Sequence, residues 1–188
     1  MNHKPTKEGN METTVLEKGK GTNEMFDTWK WLLKAKSTDE TRPAINLIQV
    51  SEKRAVATDG YRLHIANVKD SGVKPGLYRV LASTAKQIVL QEDTEGHLYP
   101  DIKQVIPRHM GRCIDLSYEK YDKKLSAPAF IAAKVIRALD EPYAINLGFL
   151  EDCTKDGAWK MYVNPKSGGP LYFRNCTRSA VIMPLRIA

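Results

Sequence analysis

The chain has 188 residues, of which 42% are hydrophobic and 27% are charged, and this composition is typical of a soluble globular protein. Its length allows a sizeable core in one domain or in two small ones, and it contains no apolar run of the roughly eighteen residues that a membrane span needs. The net charge of +7 favours a polyanionic partner, commonly nucleic acid, although a mildly basic solvated surface would have the same charge.

The N-terminus and the cysteines carry no functional signal of their own. Residues 1–11 lack an apolar core, so we expect a flexible tail and no signal peptide. Cys113, Cys153 and Cys176 are odd in number and widely spaced, which indicates neither a disulfide framework nor a zinc site. We therefore expect reduced thiols and a cytoplasmic location.

The first predicted elements are a strand at residues 13–17 and a helix at about 24–36 that is capped by Asn23. The helix has an apolar stripe at helical spacing, which is typical of a core-facing surface. The stripe consists of Met25, Trp29, Leu32 and Leu33. Another strand is predicted at 44–50.

A hairpin is predicted around the dipeptide Asp59-Gly60, which lies between the apolar runs 55–57 and 63–66. Asp-Gly favours a type I′ turn, in which both central residues have positive φ. Thr58, Tyr61 and Arg62 would then lie close together at the hairpin tip. A strand follows at 77–81, whereas residues 82–91 fit either a helix or a strand.

The later half of the chain repeats this order of features. Ser126 caps a second predicted helix with Pro128 in its first turn, and a stripe faces the core. That stripe consists of Ile131, Val135, Ala138 and Leu139. The tetrapeptide Ala-Ile-Asn-Leu occurs at 44–47 and again at 144–147, each time predicted as a strand, and a second Asp-Gly follows at 156–157.

A recurring order of helix, proline, strand and turn indicates a duplicated building block. We predict two β-α-β-β-β units that form an α+β fold, with the helices on one face of an antiparallel sheet. The first unit and its connection would occupy residues 12–108, and the second unit would occupy 109–188.

Three short stretches resemble the bacterial sliding clamp, the β subunit of DNA polymerase III. Ala-Thr-Asp-Gly-Tyr-Arg-Leu at 57–63 is similar to the signature of its second domain. Residues 99–107 resemble its connection to the third domain, and 181–187 resemble its C-terminal strand and tail. The resemblance implies a DNA-clamp-like fold in a shortened form. The first half of the second domain would be followed by the second half of the third.

The resemblance also implies a cleft that receives short peptides of polymerases and other replication proteins. By position, its lining would be Thr58, Gly60, Tyr61, Arg62, Leu63, Pro100, Val105, Met183, Pro184, Leu185 and Arg186. Apolar members would form the floor, and Arg62 and Arg186 would bind a peptide carbonyl or carboxylate. Tyr61 stands where the family usually has histidine. The alternative is that 181–187 is only an edge strand that packs on its own core.

Clamps of this family line a DNA channel with basic helices, and two chains close a ring around duplex DNA. The corresponding basic residues here would be Lys30, Lys34, Lys36, Lys134 and Arg137, contacting phosphates without sequence preference. Charged outer helix faces are ordinary, so a solvated surface is the alternative interpretation. Because the first domain is missing, a ring would need more copies of the chain or different contacts.

No catalytic signature is present. The four histidines lack metal-ligand spacing, and no hydrolase, metalloprotease or phosphate-binding motif occurs. We expect no enzyme activity and no cofactor. The leading hypothesis is a clamp-related DNA replication protein that confers processivity through peptide binding and forms a homo-oligomer if it encircles DNA. A stand-alone peptide-binding module that competes for clamp partners is the second hypothesis, and a basic nucleic-acid-binding protein without a cleft is the third.

Overall fold

A computed structural model describes residues 13–19, 23–108, 110–117, 127–139, 143–155, 158–163 and 169–186. The first half has the strands β1 (Thr13–Glu17), β2 (Ile48–Val50), β3 (Arg54–Thr58), β4 (Arg62–Asn67), β5 (Gly76–Ser83) and β6 (Gln87–Glu92). The second half has β7 (Arg112–Asp115), β8 (Tyr143–Ala144), β9 (Lys160–Val163), β10 (Leu171–Arg174), β11 (Arg178–Ile182) and β12 (Leu185–Arg186). The helices are α1 (Glu24–Leu33), α2 (Ala127–Ala138) and α3 (Leu147–Thr154).

Ten of these strands form one antiparallel sheet in the order β1-β6-β5-β2-β3-β4-β11-β10-β9-β7. The two halves of the chain meet where β4 pairs with β11, with Leu63 opposite Val181. A separate two-stranded sheet joins β8 and β12. The predicted α+β class with an antiparallel sheet is therefore confirmed.

The two faces of the sheet carry different cores because successive residues of a strand point to opposite sides. On one face, a large cluster combines the sheet with the three helices and includes Trp29, Trp31, Trp159 and Phe173. On the other face, a smaller cluster of five buried residues is covered by Tyr99, Ile102 and Ile106 of the 93–108 connection. The helices thus lie on one face, as the sequence predicted.

Helix α1 follows its predicted stripe, since Trp29 and Leu32 are fully buried. Its regular hydrogen bonding ends at Leu33 and not near Lys36, and the Asn23 side chain does not cap it. Residues 82–91 belong to the β5–β6 hairpin, because Thr84 Oγ1 accepts hydrogen bonds from the amides of Lys86 and Gln87 and so closes a turn.

The predicted strand at 44–50 is wrong in its first half, where Pro43–Asn46 form a 3-10 helix. Proline at the first helical position has a suitable φ and lacks only an amide that would have no partner there. The strand predicted at 144–147 is correct only for Ala144, which belongs to β8. Asn146 instead caps α3 by accepting a hydrogen bond from the Phe149 amide at 3.2 Å. Compared with the predicted β-α-β-β-β order, the first half has the additional β5–β6 hairpin and the second half has the additional helix α3.

Several sequence expectations fall outside the described residues. These are the tail at 1–11, the Ser126 cap and the turn at 156–157. Within the described ranges, no helix has both the length and the apolar character needed to cross a membrane.

Candidate functional site

The β3–β4 hairpin tip is built by side chains that satisfy its backbone amides. Asp59 Oδ1 accepts hydrogen bonds from the amides of Tyr61 at 3.0 Å and Arg62 at 2.9 Å. Thr58 Oγ1 accepts from the Gly60 amide at 3.1 Å and donates to the Arg62 carbonyl at 2.7 Å. The tip is an Asx turn and not the predicted type I′ turn, because Gly60 has positive φ and Asp59 does not.

Gly60 is needed at this tip for its backbone angle and for its close contact with Arg42. Its φ is 90°, and a Cβ there would lie 2.8 Å from Arg42 Nη1. We expect Gly60→Ala to lower the free energy of unfolding by about 1–2 kcal/mol, mostly through backbone strain, because the end of the Arg42 side chain can move away. Urea unfolding at neutral pH measures this loss.

Gly72→Ala is the matched control, since Gly72 also has positive φ but has no atom within 4 Å of its Cβ position. Its stability loss gives the backbone contribution alone. A Gly60→Ala protein as stable as the wild type would contradict the described tip.

A small groove, which we call the hairpin groove, lies between this tip and the end of β11. Met183 donates its amide hydrogen to the Tyr61 carbonyl at 2.9 Å, and this bond joins the two walls. The groove has a volume of about 40 Å³. It is lined by Thr58, Gly60, Tyr61, Arg62, Leu63, Val105, Val181 and Met183.

The groove thus contains seven of the residues that the resemblance placed in a cleft, together with Val181. The sequence analysis did not include Val181 in the cleft. Its position two residues before Met183 does indicate that the two side chains point to the same side of an extended segment. Pro100, Pro184 and Leu185 do not line the groove, and the Arg186 side chain lies outside what the structure describes. Leu185 pairs with Ala144 in the small sheet, which directs this end of the chain toward β8.

The Arg62 guanidinium is engaged within the protein and so differs from its expected role. It contacts Asp59 at 3.0 Å and Asp152 at 2.8 Å, it donates to the Lys34 carbonyl, and it lies 4.3 Å from the centre of the Phe149 ring. These partners belong to the tip, to α1's end and to α3. Arg62 therefore fixes the hairpin against the helices. We do not assign its guanidinium hydrogen bonds to the carbonyl group of a bound peptide.

The five basic residues that the resemblance placed on a DNA channel have different surroundings. Lys34 forms an ion pair with Asp152 at 2.6 Å. Lys134 donates to the Asp115 carbonyl, Lys30 donates to Ser83, and Lys36 donates to the Ser37 carbonyl. Arg137 is exposed on α2. The charge of Lys34 is thus largely neutralised by Asp152, a neighbour that no local sequence pattern indicated.

Two carboxylates and a histidine lie together in a segment where the sequence indicated no metal site. Ligand atoms of Asp93, Glu95 and His97 lie within 4.8 Å of one another. Arg79 already contributes a positive charge, since its Nη2 lies 3.2 Å from Glu95 Oε1 and 3.9 Å from Asp93 Oδ1. The cluster is thus an ion-pair network at the end of β6, and we assign no metal to it.

Comparisons with known proteins show one consistent likeness. The β subunit of DNA polymerase III from Thermotoga maritima is 16% identical, with a TM-score of 0.55, and the match covers 100% of this chain and 68% of that chain. The sliding clamp of Caulobacter crescentus is 16% identical over 99% of this chain and 68% of its own, with a TM-score of 0.62. The Bacillus subtilis clamp is 14% identical over 100% and 67%, with a TM-score of 0.59.

No protein-family profile matches the chain, and a search of curated proteins finds no relative. At these identities the structural likeness establishes the fold alone. The resemblance inferred from three short motifs is confirmed at that level.

Proposed function

Because the chain has the fold of a bacterial sliding clamp, we propose that it is a shortened clamp-related replication protein that binds short peptide segments in the hairpin groove. Its role is to hold a partner by binding and not to catalyse a reaction. The observation that carries the proposal is the joining of the Gly60 hairpin and Met183 by the Met183–Tyr61 backbone hydrogen bond. This bond brings the first and last clamp-like motifs of the chain into one surface.

The composition of the groove suits a peptide more than a small molecule. Its volume of about 40 Å³ is far below the several hundred Å³ of typical small-molecule sites. Tyr61 is 63% exposed and Met183 is 38% exposed, so both offer apolar surface to a partner. Methionine adapts its shape to different side chains, which suits a surface that accepts several peptides. In a structure of the Caulobacter crescentus clamp, polyethylene glycol is bound to that protein's proposed β-motif tethering region.

Met183→Asp is the most direct test. A carboxylate on the groove wall would have to lose water when an apolar peptide side chain binds, so we expect affinity to fall at least about tenfold. The measurement is fluorescence anisotropy with a labelled clamp-binding peptide from a bacterial replicative polymerase. Met110→Asp is the matched control, because Met110 is 44% exposed and lies outside the groove.

Equal peptide affinity of the two variants would overturn the groove assignment. Leu63 is unsuitable for this test, although it lines the groove. Its side chain is only 3% exposed, so an aspartate there would disrupt the smaller core and the fold.

DNA tethering would in addition require a ring, and the sheet has two ends at which copies of the chain can join. Strands β1 and β7 are the terminal strands of the ten-stranded order, so among the residues that the structure describes each has one edge without a neighbouring strand. Pairing of β1 with β7 of the next copy would continue the sheet from chain to chain. The alternative function is a monomeric peptide-binding module that competes for clamp partners.

Light scattering at micromolar concentration separates the two alternatives. The molar mass of a closed multimer is expected for a ring-forming clamp. The molar mass of a stable monomer supports the alternative function, a peptide-binding module that competes for clamp partners. Binding to duplex DNA should weaken steeply with salt if phosphate contacts carry it, and an affinity that is insensitive to salt would exclude such contacts.

A further inference from the structure

A second recess lies beside the hairpin tip, and we call it the basic basin. Its volume is about 490 Å³, and its charged lining residues are Lys34, Lys36, Asp39, Arg42, Asp59 and Arg62. Tyr61 and Arg62 line both the basin and the hairpin groove, so the two recesses flank the same tip. A peptide in the groove that continues past Tyr61 would reach the basin.

The charges of the basin do not balance. Arg62 is paired with Asp59 and Asp152, and Lys34 is also paired with Asp152. Asp39 accepts hydrogen bonds from the amide and the hydroxyl of Thr41. Within the part of the chain that the structure describes, neither Lys36 nor Arg42 has a carboxylate oxygen within 4.0 Å. Arg42 nevertheless lies near enough to Asp39 to help lower the pKa of that carboxyl, so its charge is compensated in part across a longer distance. Lys36 is thus the basin cation that lacks an ion-pair partner among these residues, and Arg42 is a cation without a direct carboxylate contact.

Lys36 is a recessed cation. Its ammonium donates to the Ser37 carbonyl at 2.7 Å, and burial lowers the pKa of Lys36 from its ordinary value of 10.5. Removing water from an ammonium group disfavours its charge, and a neighbouring anion compensates for that loss. An anionic group placed in the basin would therefore gain more from Lys36 than from a fully solvated lysine.

Arg42 connects the basin to the groove. Its guanidinium lies against Gly60, with Nη1 2.8 Å and Nη2 3.0 Å from the position that a Cβ would take. Gly60 lines the groove and Arg42 lines the basin, so the bare backbone of Gly60 lets the cation sit at their border. A planar guanidinium suits a carboxylate, which it can bind through two parallel hydrogen bonds.

We propose that the basic basin binds the carboxylate of an aspartate or glutamate that flanks the apolar segment of a groove-bound peptide. This inference rests on the proposed function and names the chemistry of the partner. A recess of this volume accepts a side chain, whereas the phosphates of a duplex lie on a broad convex surface. Acidic peptide partners are therefore favoured over DNA at this position.

The experiment compares two labelled versions of the polymerase-derived peptide, one extended at both ends by glutamate and one by glutamine. We expect the wild-type protein to bind the glutamate version about tenfold more tightly, as charge-assisted hydrogen bonds allow. In Lys36→Gln and in Arg42→Gln this ratio should fall toward one. Lys69→Gln, at an exposed lysine outside the basin, should keep the wild-type ratio.

The outcomes separate this inference from the proposed function. Equal binding of the two peptides by the wild type overturns the basin assignment and leaves the groove in place. A failure of both peptides to bind overturns the proposed function and this inference with it. If a short duplex DNA displaces the glutamate peptide from the wild type, the basin is a phosphate site and the peptide proposal is wrong.

Discussion

Between pH 6.5 and pH 4.5 we expect the free energy of unfolding to fall by about 2.3 kcal/mol because of His64 alone. His64 lies on β4 with its side chain fully buried. Its ring stacks on Trp31 with the ring centres 4.0 Å apart. Burial lowers the pKa of His64 from its ordinary value of 6.5 to about 3. The Trp31 hydrogen bond and the Asp152 carboxylate oppose this shift, whereas the nearby cations of Arg62 and Lys34 act in the same direction as burial.

Hydrogen bonding fixes which form of His64 is present. Its Nδ1 lies 3.0 Å from the Trp31 carbonyl oxygen, which only accepts, so the neutral ring carries its proton on Nδ1. Its Nε2 is buried without a hydrogen-bond partner among the described residues. A second proton on Nε2 would therefore create a charge with neither water nor an acceptor beside it.

The sign of the effect follows from proton binding in the two states. Below pH 6.5 the unfolded chain takes up a proton at His64, whereas the folded chain stays neutral until about pH 3. The unfolded state thus binds more protons, and stability falls with decreasing pH by up to about 1.4 kcal/mol per unit. Above about pH 7.5 both states are neutral at this residue and the contribution is constant.

Urea unfolding at several pH values from 7.5 to 4.5 measures this slope, and His64→Phe is the diagnostic variant. Phenylalanine retains the stacking area on Trp31 but does not titrate, so most of the slope should disappear whatever the variant's absolute stability. A slope that persists unchanged in His64→Phe would assign the acid sensitivity to other groups.

Local sequence signals predicted the elements that depend mainly on local interactions. The stripe of α1 and the β3–β4 hairpin carry their information within a few residues, and both are present. The tetrapeptide Ala-Ile-Asn-Leu shows the limit of such signals. At 44–47 it follows Pro43 and enters a 3-10 helix, whereas at 144–147 its asparagine caps α3. Four identical residues thus adopt different structures because their neighbours differ.

Helix α3 was not predicted because its stabilising partners are distant in sequence. It has eight residues, too few for a helix that is stable by itself. The Trp31 indole donates to the Cys153 carbonyl at 2.9 Å across 122 positions, and Asp152 reaches Lys34 across 118. For the same reason the groove lining was predicted in part, while the engagement of Arg62 and the basic basin became visible in three dimensions.

Asp152→Ala should lower the free energy of unfolding by about 2–4 kcal/mol at pH 7. Asp152 contacts Lys34 at 2.6 Å and Arg62 at 2.8 Å, so its loss removes two ion pairs at once. The Arg62 side chain is only 11% exposed, and a poorly solvated guanidinium that loses a carboxylate is costly. We place the effect below that of a fully buried pair because Asp152 is itself one-third exposed.

Asp152 is ionised at the pH of this experiment. Burial alone would raise the pKa of Asp152, but the hydrogen bonds from Lys34 and Arg62 outweigh it and hold the pKa below its ordinary value of 3.8. The carboxylate is therefore ionised at pH 7 in the folded and unfolded states. The stability difference then reports lost contacts and not a change in protonation.

Glu151→Ala is the matched control, since Glu151 precedes Asp152 on α3 and is exposed. Alanine also favours the helix at both positions, so helix propensity cannot explain a difference between the variants. We expect Glu151→Ala to change stability by less than about 0.5 kcal/mol, as surface substitutions usually do. Equal stabilities of the two variants would mean that the two ion pairs of Asp152 add nothing measurable to stability. Helix α3 would then be held by its buried contacts, among them Leu150 and the Trp31–Cys153 hydrogen bond. Arg62 would hold the hairpin tip to the helices through the Lys34 carbonyl and the Phe149 ring.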